Sequence, residues 1–218
     1  MKSSIIVVGT SHISIESLNQ VKETIEKNAP AIIALELDRN RFNSILSPQR
    51  PSMNPFKVGV KFWIINNIGA FIEKKLGQKA GLEPGSEMKT AIKIAREKQL
   101  KIALIDQDIR ITLNRLTSKF TLKEKINFAL EVLKTPFATK QQRIKINLKK
   151  VPSDELIDLV ITEVKKKFPT IYEVLINERN IYMANKLKLL KAYHPDETII
   201  AIVGAGHKKG IEELLKGD

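Results

Sequence analysis

Two tetrapeptides of this chain are the same chemical element. Gly9-Thr10-Ser11-His12 follows the apolar run Ile5–Val8, and Gly204-Ala205-Gly206-His207 follows Thr198–Val203, so both runs end in G-x-x-H. Two further apolar runs end in carboxylates: Ala31–Leu37 closes through Glu36-Leu37-Asp38-Arg39, and Lys101–Ile105 leads into Asp106-Gln107-Asp108-Ile109-Arg110. A histidine in one such element is most simply a hydrogen-bonding residue of a turn. Two at matching places point to one site. His12 and His207 with one carboxylate make an N,N,O set that suits a divalent transition metal, manganese, cobalt or zinc, and leaves positions open for water. Such a site permits hydrolysis: the cation acidifies bound water and polarises a carbonyl, Glu36 serves as ligand or general base, and an arginine steadies the developing oxyanion. Asp38, Glu87, Asp106 and Glu178 compete with Glu36 for the carboxylate's place, and Glu87 is kept beside it as a catalytic candidate.

Other chemistries fall away. The chain has no Cys, which removes thiolate nucleophiles, disulfides and cysteine metal sites. Gly204-Ala205-Gly206 lacks the third glycine of a dinucleotide fingerprint, because position 209 is Lys209. Ser11 is too close to His12 in sequence to align with it as a nucleophile and base. His194, in Tyr193-His194-Pro195-Asp196, reads as a loop residue.

The elements that must hold these residues follow from apolar periodicity. The four runs Ile5–Val8, Ala31–Leu37, Lys101–Ile105 and Thr198–Val203 are short, rich in β-branched residues and mostly without polar alternation. Strands of that kind are buried on both faces, as in a parallel sheet covered by helices, and ligands of such sheets bind outside the carboxyl ends of the strands. Ile15, Leu18, Val21 and Ile25 form the apolar face of a helix capped by Ser14 or Ser17 and ended by Asn28 and Pro30, which completes a βαβ unit. A second helix runs from about Glu87 to Lys98. The expected fold is α/β, a mainly parallel sheet flanked by helices, forming a single domain over 1–218 with helical insertions near 40–86 and 112–193. In the later insertion Thr121 with Glu124 and Thr170 with Glu173 match the capping box, and Ser153 precedes Asp154 and Glu155 in a first turn.

In a chain of 218 residues the net charge of +13 is unevenly spread. Residues 119–151 hold 9 basic and 2 acidic side chains, an excess of +7. This block, 119–150, could meet anionic lipid headgroups, whereas nucleic acid is disfavoured because no Arg-Gly repeat or aromatic-basic interleaving accompanies it. Ile5–Val8 is too short for a secretory signal, and Phe62–Ile72, broken by Asn66 and Asn67, falls short of the ~18 apolar residues of a spanning helix. The absence of Cys fits a reducing compartment, and the expected location is cytoplasmic. Residues 58–76 place Val60, Phe62, Trp63, Ile64, Ile65, Ile68, Phe71 and Ile72 on one helix, more apolar surface than one core-facing stripe needs. A homodimer through 58–76 is the expectation.

The chain resembles a known family in six ordered blocks. Gly9-Thr10-Ser11-His12, Ala34-Leu35-Glu36-Leu37-Asp38-Arg39, Pro84-Gly85-Ser86-Glu87-Met88, Leu104-Ile105-Asp106-Gln107-Asp108-Ile109, Asn177-Glu178-Arg179 with Tyr182-Met183, and Val203-Gly204-Ala205-Gly206-His207 look like the TraB/PrgY pheromone-shutdown family. That family is similar to the Tiki metal-dependent proteases and, more distantly, to erythromycin esterases. The resemblance implies that His12, Glu36 and His207 form the site and that Arg179 is its arginine. Members of the TraB type often continue into C-terminal membrane helices, so this chain reads as a short member or as the soluble part of a membrane-attached protein. The function it implies is a metal-dependent hydrolase, a peptidase or a protein that inactivates a peptide signal, with Glu36, Arg179 and Glu87 as catalytic candidates. The alternative is a non-catalytic binder that sequesters a peptide or small-molecule ligand in the same crevice.

Overall fold

Each of the four apolar runs becomes a strand, and the four form one sheet. The computed structural model describes residues 4–10, 15–47, 85–134 and 154–217. Strands β1 (Ile5–Thr10), β2 (Ile32–Leu35), β3 (Lys101–Leu104) and β4 (Ile199–Gly204) lie in the order β1-β4-β2-β3, with every neighbouring pair parallel. The α/β architecture expected of continuous apolar strands is the one observed.

Successive side chains of a strand point to opposite faces, so a strand buried on both needs no polar alternation. Ile33, Leu35, Ile200 and Ile202 pack on one face with Val21 and Ile25 of α1 (Ile15–Asn28) and with Met88, Ala91 and Ile92 of α3 (Ser86–Glu97). Ile32, Ala34, Ile199, Ala201 and Val203 pack on the other with Met183, Ala184 and Leu187 of α8 (Glu178–Tyr193) and Ile211 of α9 (Ala205–Lys216). The last strand is thus central to the sheet, and the helices before and after it cover the same face.

β2 ends two residues earlier than its apolar run. The Leu37 N–H folds back onto the Leu35 carbonyl at 2.7 Å, an i to i+2 bond that bends the chain at Glu36. Asp38 then opens α2 (Arg39–Leu46), its carboxylate accepting from the Asn40 and Arg41 N–H groups. Asp108 opens α4 (Ile109–Lys119) in the same way, through the Arg110 N–H at 2.8 Å. Two of the post-strand carboxylates are therefore helix caps.

The later insertion comprises, among the described residues, α4, α5 (Leu122–Lys134), α6 (Asp154–Lys167), α7 (Pro169–Tyr172) and a π-helical turn, Glu173–Asn177, that runs directly into α8. Leu116, Phe120, Phe128, Phe168, Ile171 and Val174 are its core. Phe128 stands edge-on between Phe120, at 6.3 Å, and Phe168, at 5.4 Å. The Thr121–Glu124 capping box forms, with the Glu124 N–H on Thr121 Oγ at 3.2 Å and the Thr121 N–H on Glu124 Oε2 at 3.1 Å. The box expected of Thr170 and Glu173 does not. Pro169, which has no N–H, takes the first helical position, and Thr170 gives its N–H and hydroxyl to the buried Glu124 carboxylate at 3.0 and 2.9 Å. Ser153, the apolar segment 58–76 and most of the basic block, 135–150, lie outside the described residues. Among those described, no helix is long and apolar enough to cross a membrane.

Candidate functional site

The strand order brings Gly9 and Thr10, which open the first G-x-x-H element, beside the start of the second. Gly9 pairs with Val203 and Thr10 with Gly204 at the ends of β1 and β4, and the Thr10 hydroxyl donates to the Val203 carbonyl at 3.2 Å. A Cβ on Gly9 would stand 3.1 Å from Lys208 Cβ and 3.3 Å from Ala205 Cα, so glycine lets the end of β1 approach the start of α9. His12 lies two residues past Thr10, outside the described residues.

On the other flank of β4, the bend after β2 turns Glu36 to the carboxyl edge of the sheet. Its carboxylate is buried, and Oε2 accepts the Gly204 N–H at 2.6 Å, at the amino end of α9 where a negative charge is favoured. The other oxygen, Oε1, accepts from Arg179 Nη2 and lies 3.5 Å from Nε2 of His207. His207, on the first turn of α9, is also buried, and its Nδ1 meets Asn180 Oδ1 at 2.7 Å.

Arg179 ties the cluster together. Its Nε and Nη2 fork onto Asp106 Oδ1 and Oδ2 at 3.1 and 2.7 Å, while Nη1 faces the Leu175 carbonyl at 3.3 Å and His207 Nε2 at 3.1 Å. A guanidinium can only donate. His207 therefore presents the Nε2 lone pair to Arg179 and donates from Nδ1–H to Asn180. Burial works against the charge on Arg179, but the carboxylates of Glu36 and Asp106 outweigh it and hold the arginine pKa above its ordinary value. Asp106 is buried and also accepts from Arg41 Nη1 at 3.2 Å.

The π-helical turn sets which neighbour faces the site. The Glu178 N–H closes on the Glu173 carbonyl five residues back, and Arg179 turns inward toward Glu36 and Asp106. Glu178 turns to α4 instead, where Arg115 Nη2 and Lys119 Nζ reach it at 2.8 and 2.7 Å. Hydrogen bonding from Arg115, against some desolvation and with help from Lys119, brings its pKa down to about 2. Of the competing carboxylates, Asp106 adjoins Glu36 through Arg179, whereas Asp38 caps α2 and Glu178 pairs with α4. Glu87 is buried in the first turn of α3, which runs against β3 and so begins at the carboxyl edge of the sheet.

Residues 1–217 match the TraB/PrgY/gumN family. The chain belongs to that family. It is 38% identical to an uncharacterised protein of Methanocaldococcus jannaschii, over 97% of this chain and 53% of that protein. It is 24% identical to TraB domain-containing proteins of Bos taurus and Homo sapiens, over 97% and 99% of this chain and 62% and 64% of theirs. The chain thus spans between about half and two thirds of the length of these relatives.

In this TraB-family chain the sequence reading missed Asn180 and Gly210. A glycine inside a helix costs roughly 0.5–1 kcal/mol relative to alanine, so its presence three residues after His207 was the available signal. A Cβ on Gly210 would lie 2.3 Å from Asn180 Nδ2. For the metal that the family resemblance implies, the described residues contain no converging group of three His, Asp or Glu side chains. They do contain two donor atoms 3.5 Å apart, His207 Nε2 and Glu36 Oε1, both facing Arg179, with His207 steadied from behind by Asn180 as ligating histidines usually are. An imidazole nitrogen and a carboxylate oxygen are donors of the kind a divalent cation takes.

Proposed function

We propose that the carboxyl edge of the sheet is a metal-dependent hydrolase site acting on a peptide or a small signal molecule, with His12, His207 and Glu36 as the metal's ligands. The observation that carries this reading is the approach of His207 Nε2 to Glu36 Oε1, 3.5 Å apart, with Nδ1 already committed to Asn180. A divalent cation held there, manganese, cobalt or zinc, supplies an acidified water and a Lewis acid at neutral pH. The chain supplies the rest. Arg179 stays protonated at any working pH and is pinned to Asp106, so its charge is preorganised to meet the oxygen of a polarised carbonyl. Glu36 has one oxygen fixed by the Gly204 N–H, and the other, which accepts from Arg179, has a further lone pair for a ligand bond or a proton. Glu87, at the same edge of the sheet, is the second candidate for proton transfer.

A binder without turnover is the second reading, and one feature favours it: Arg179 bonds Glu36 and adjoins His207, so the cluster is closed as it stands. Turnover separates the two. Elemental analysis of the purified protein, with hydrolysis of a mixed peptide library followed by mass spectrometry, is expected to find a bound transition metal and cleavage. Both should be lost in His12→Ala and His207→Ala with far-UV circular dichroism unchanged. Cleavage that survives in the double variant would overturn the mechanism, and metal-dependent peptide binding without cleavage would select the binder.

A further inference from the structure

The guanidinium of Arg179 spans the same two atoms that the proposed metal needs. Nη2 donates to Glu36 Oε1, Nη1 faces His207 Nε2 at 3.1 Å, and those two acceptors are themselves 3.5 Å apart. A carboxylate oxygen has lone pairs enough for an arginine and a cation together. An imidazole nitrogen has one. Since Nδ1 of His207 is committed to Asn180, Nε2 is its single acceptor, and it can serve Arg179 or a metal but not both.

We infer that Arg179 is the resident cation of this site and that a divalent metal binds by displacing it. The inference rests on the reading of His207 and Glu36 as ligands, and adds what governs their occupancy. Two features equip the arginine for the exchange. Asp106 holds it through the fork of Nε and Nη2, so the side chain keeps a charge partner after letting go of His207. Without metal, the same side chain neutralises Glu36 and Asp106, which are both buried and would otherwise stand as unpaired charges. The cluster is therefore stable without a metal, and a cation that binds works against the arginine. Metal affinity is set by Arg179 as well as by the ligands, and the site rejects weakly bound cations.

Cobalt(II) titration of the full chain, followed by calorimetry and by the visible absorption of the bound ion, tests this. Arg179→Met, which keeps the length of the side chain and removes its charge and donors, is expected to bind cobalt at least tenfold more tightly than the wild type. Asp106→Asn, which keeps the arginine but weakens its anchor, is expected to bind about tenfold more weakly. His207→Ala should abolish binding in either background. Equal or weaker binding by Arg179→Met, with wild-type binding still dependent on His207, overturns the competition and leaves the metal site standing. No cobalt binding by the wild type or by Arg179→Met overturns both. Should Arg179→Met fail to fold, Asp106→Asn decides: unchanged or tighter binding overturns the inference, and weaker binding supports it.

Discussion

Gly210 and Asn180 approach so closely that no side chain fits between them: a Cβ at position 210 would lie 2.3 Å from Asn180 Nδ2. The contact locks α9 to α8 at the turn that carries His207, and the other end of the same amide orients the imidazole. Gly210→Ala gains up to about 1 kcal/mol of helix propensity, but the clash with a buried amide costs about 1–3 kcal/mol, so the net change is a loss. Urea unfolding of Gly210→Ala, Asn180→Ala and the double variant should return a coupling energy of about 1 kcal/mol or more, because once Asn180 is shortened the added methyl has room. Additive effects would contradict the contact.

Arg179 neutralises two buried carboxylates at once, so its loss should cost much stability. Breaking a buried pair from one side costs about 3–5 kcal/mol, since the remaining charge stays in place unpaired. Arg179→Met is expected in that range. Arg179→Lys should recover only part, because an ammonium cannot fork onto Asp106 while also reaching Glu36. Added divalent cation should raise the melting temperature of Arg179→Met more than that of the wild type, and an equal rise would speak against a shared position.

The parts of this molecule that were legible in the sequence are those whose cause is local. Continuous β-branched runs mean two buried faces, and the sheet bears this out at Ile199–Gly204, every residue of which is buried. The duplicated G-x-x-H was visible as a repeat, and parallel pairing of β1 with β4 explains why it occurs at the first and last strands. Arg179 was legible through the family resemblance and not through any local pattern. Its role depends on the π-helical turn Glu173–Asn177, one residue of extra winding that decides which of Glu178 and Arg179 faces the sheet, and nothing in Glu173-Val174-Leu175-Ile176-Asn177 announces it. Thr170 was misread for a related reason. Its spacing from Glu173 is that of a capping box, but a carboxylate 46 residues away in sequence takes its hydrogen bonds.

Glu178 should leave a mark on acid stability. Its pKa falls from 4.5 to about 2, chiefly through the Arg115 hydrogen bond, so in the folded state it holds its charge where the unfolded chain would take up a proton. The stabilisation is present above pH 4.5 and is lost as the pH falls through about 2. Glu178→Gln is expected to lower stability at pH 7 by about 1–2 kcal/mol, after allowance for the solvent-screened Arg115 and Lys119, and to match the wild type near pH 2. Urea midpoints measured for both proteins across that window check it, and parallel curves would remove the ion pairs from the account.

Phe128 tests whether the helical insertion supports the site or merely adjoins it. The ring is fully buried between Phe120 and Phe168, and the same cluster includes Val174, within the π-helical turn that delivers Arg179. Phe128→Ala is expected to cost about 3–5 kcal/mol, the usual range for deleting a buried aromatic ring. The sheet's two apolar clusters do not include Phe128, so the loss should fall unevenly. Hydrogen exchange should quicken through residues 169–180, where the π-helical turn loses its packing, while the amides of β4 keep their protection. With the turn loosened, Arg179 would leave His207 Nε2 more readily, and cobalt, competing for the same nitrogen, should bind more tightly. Exchange that does not quicken at the turn would mean that Phe128 has no particular hold on the arginine, and exchange that rises equally in β4 would mean that the insertion and the sheet unfold as one.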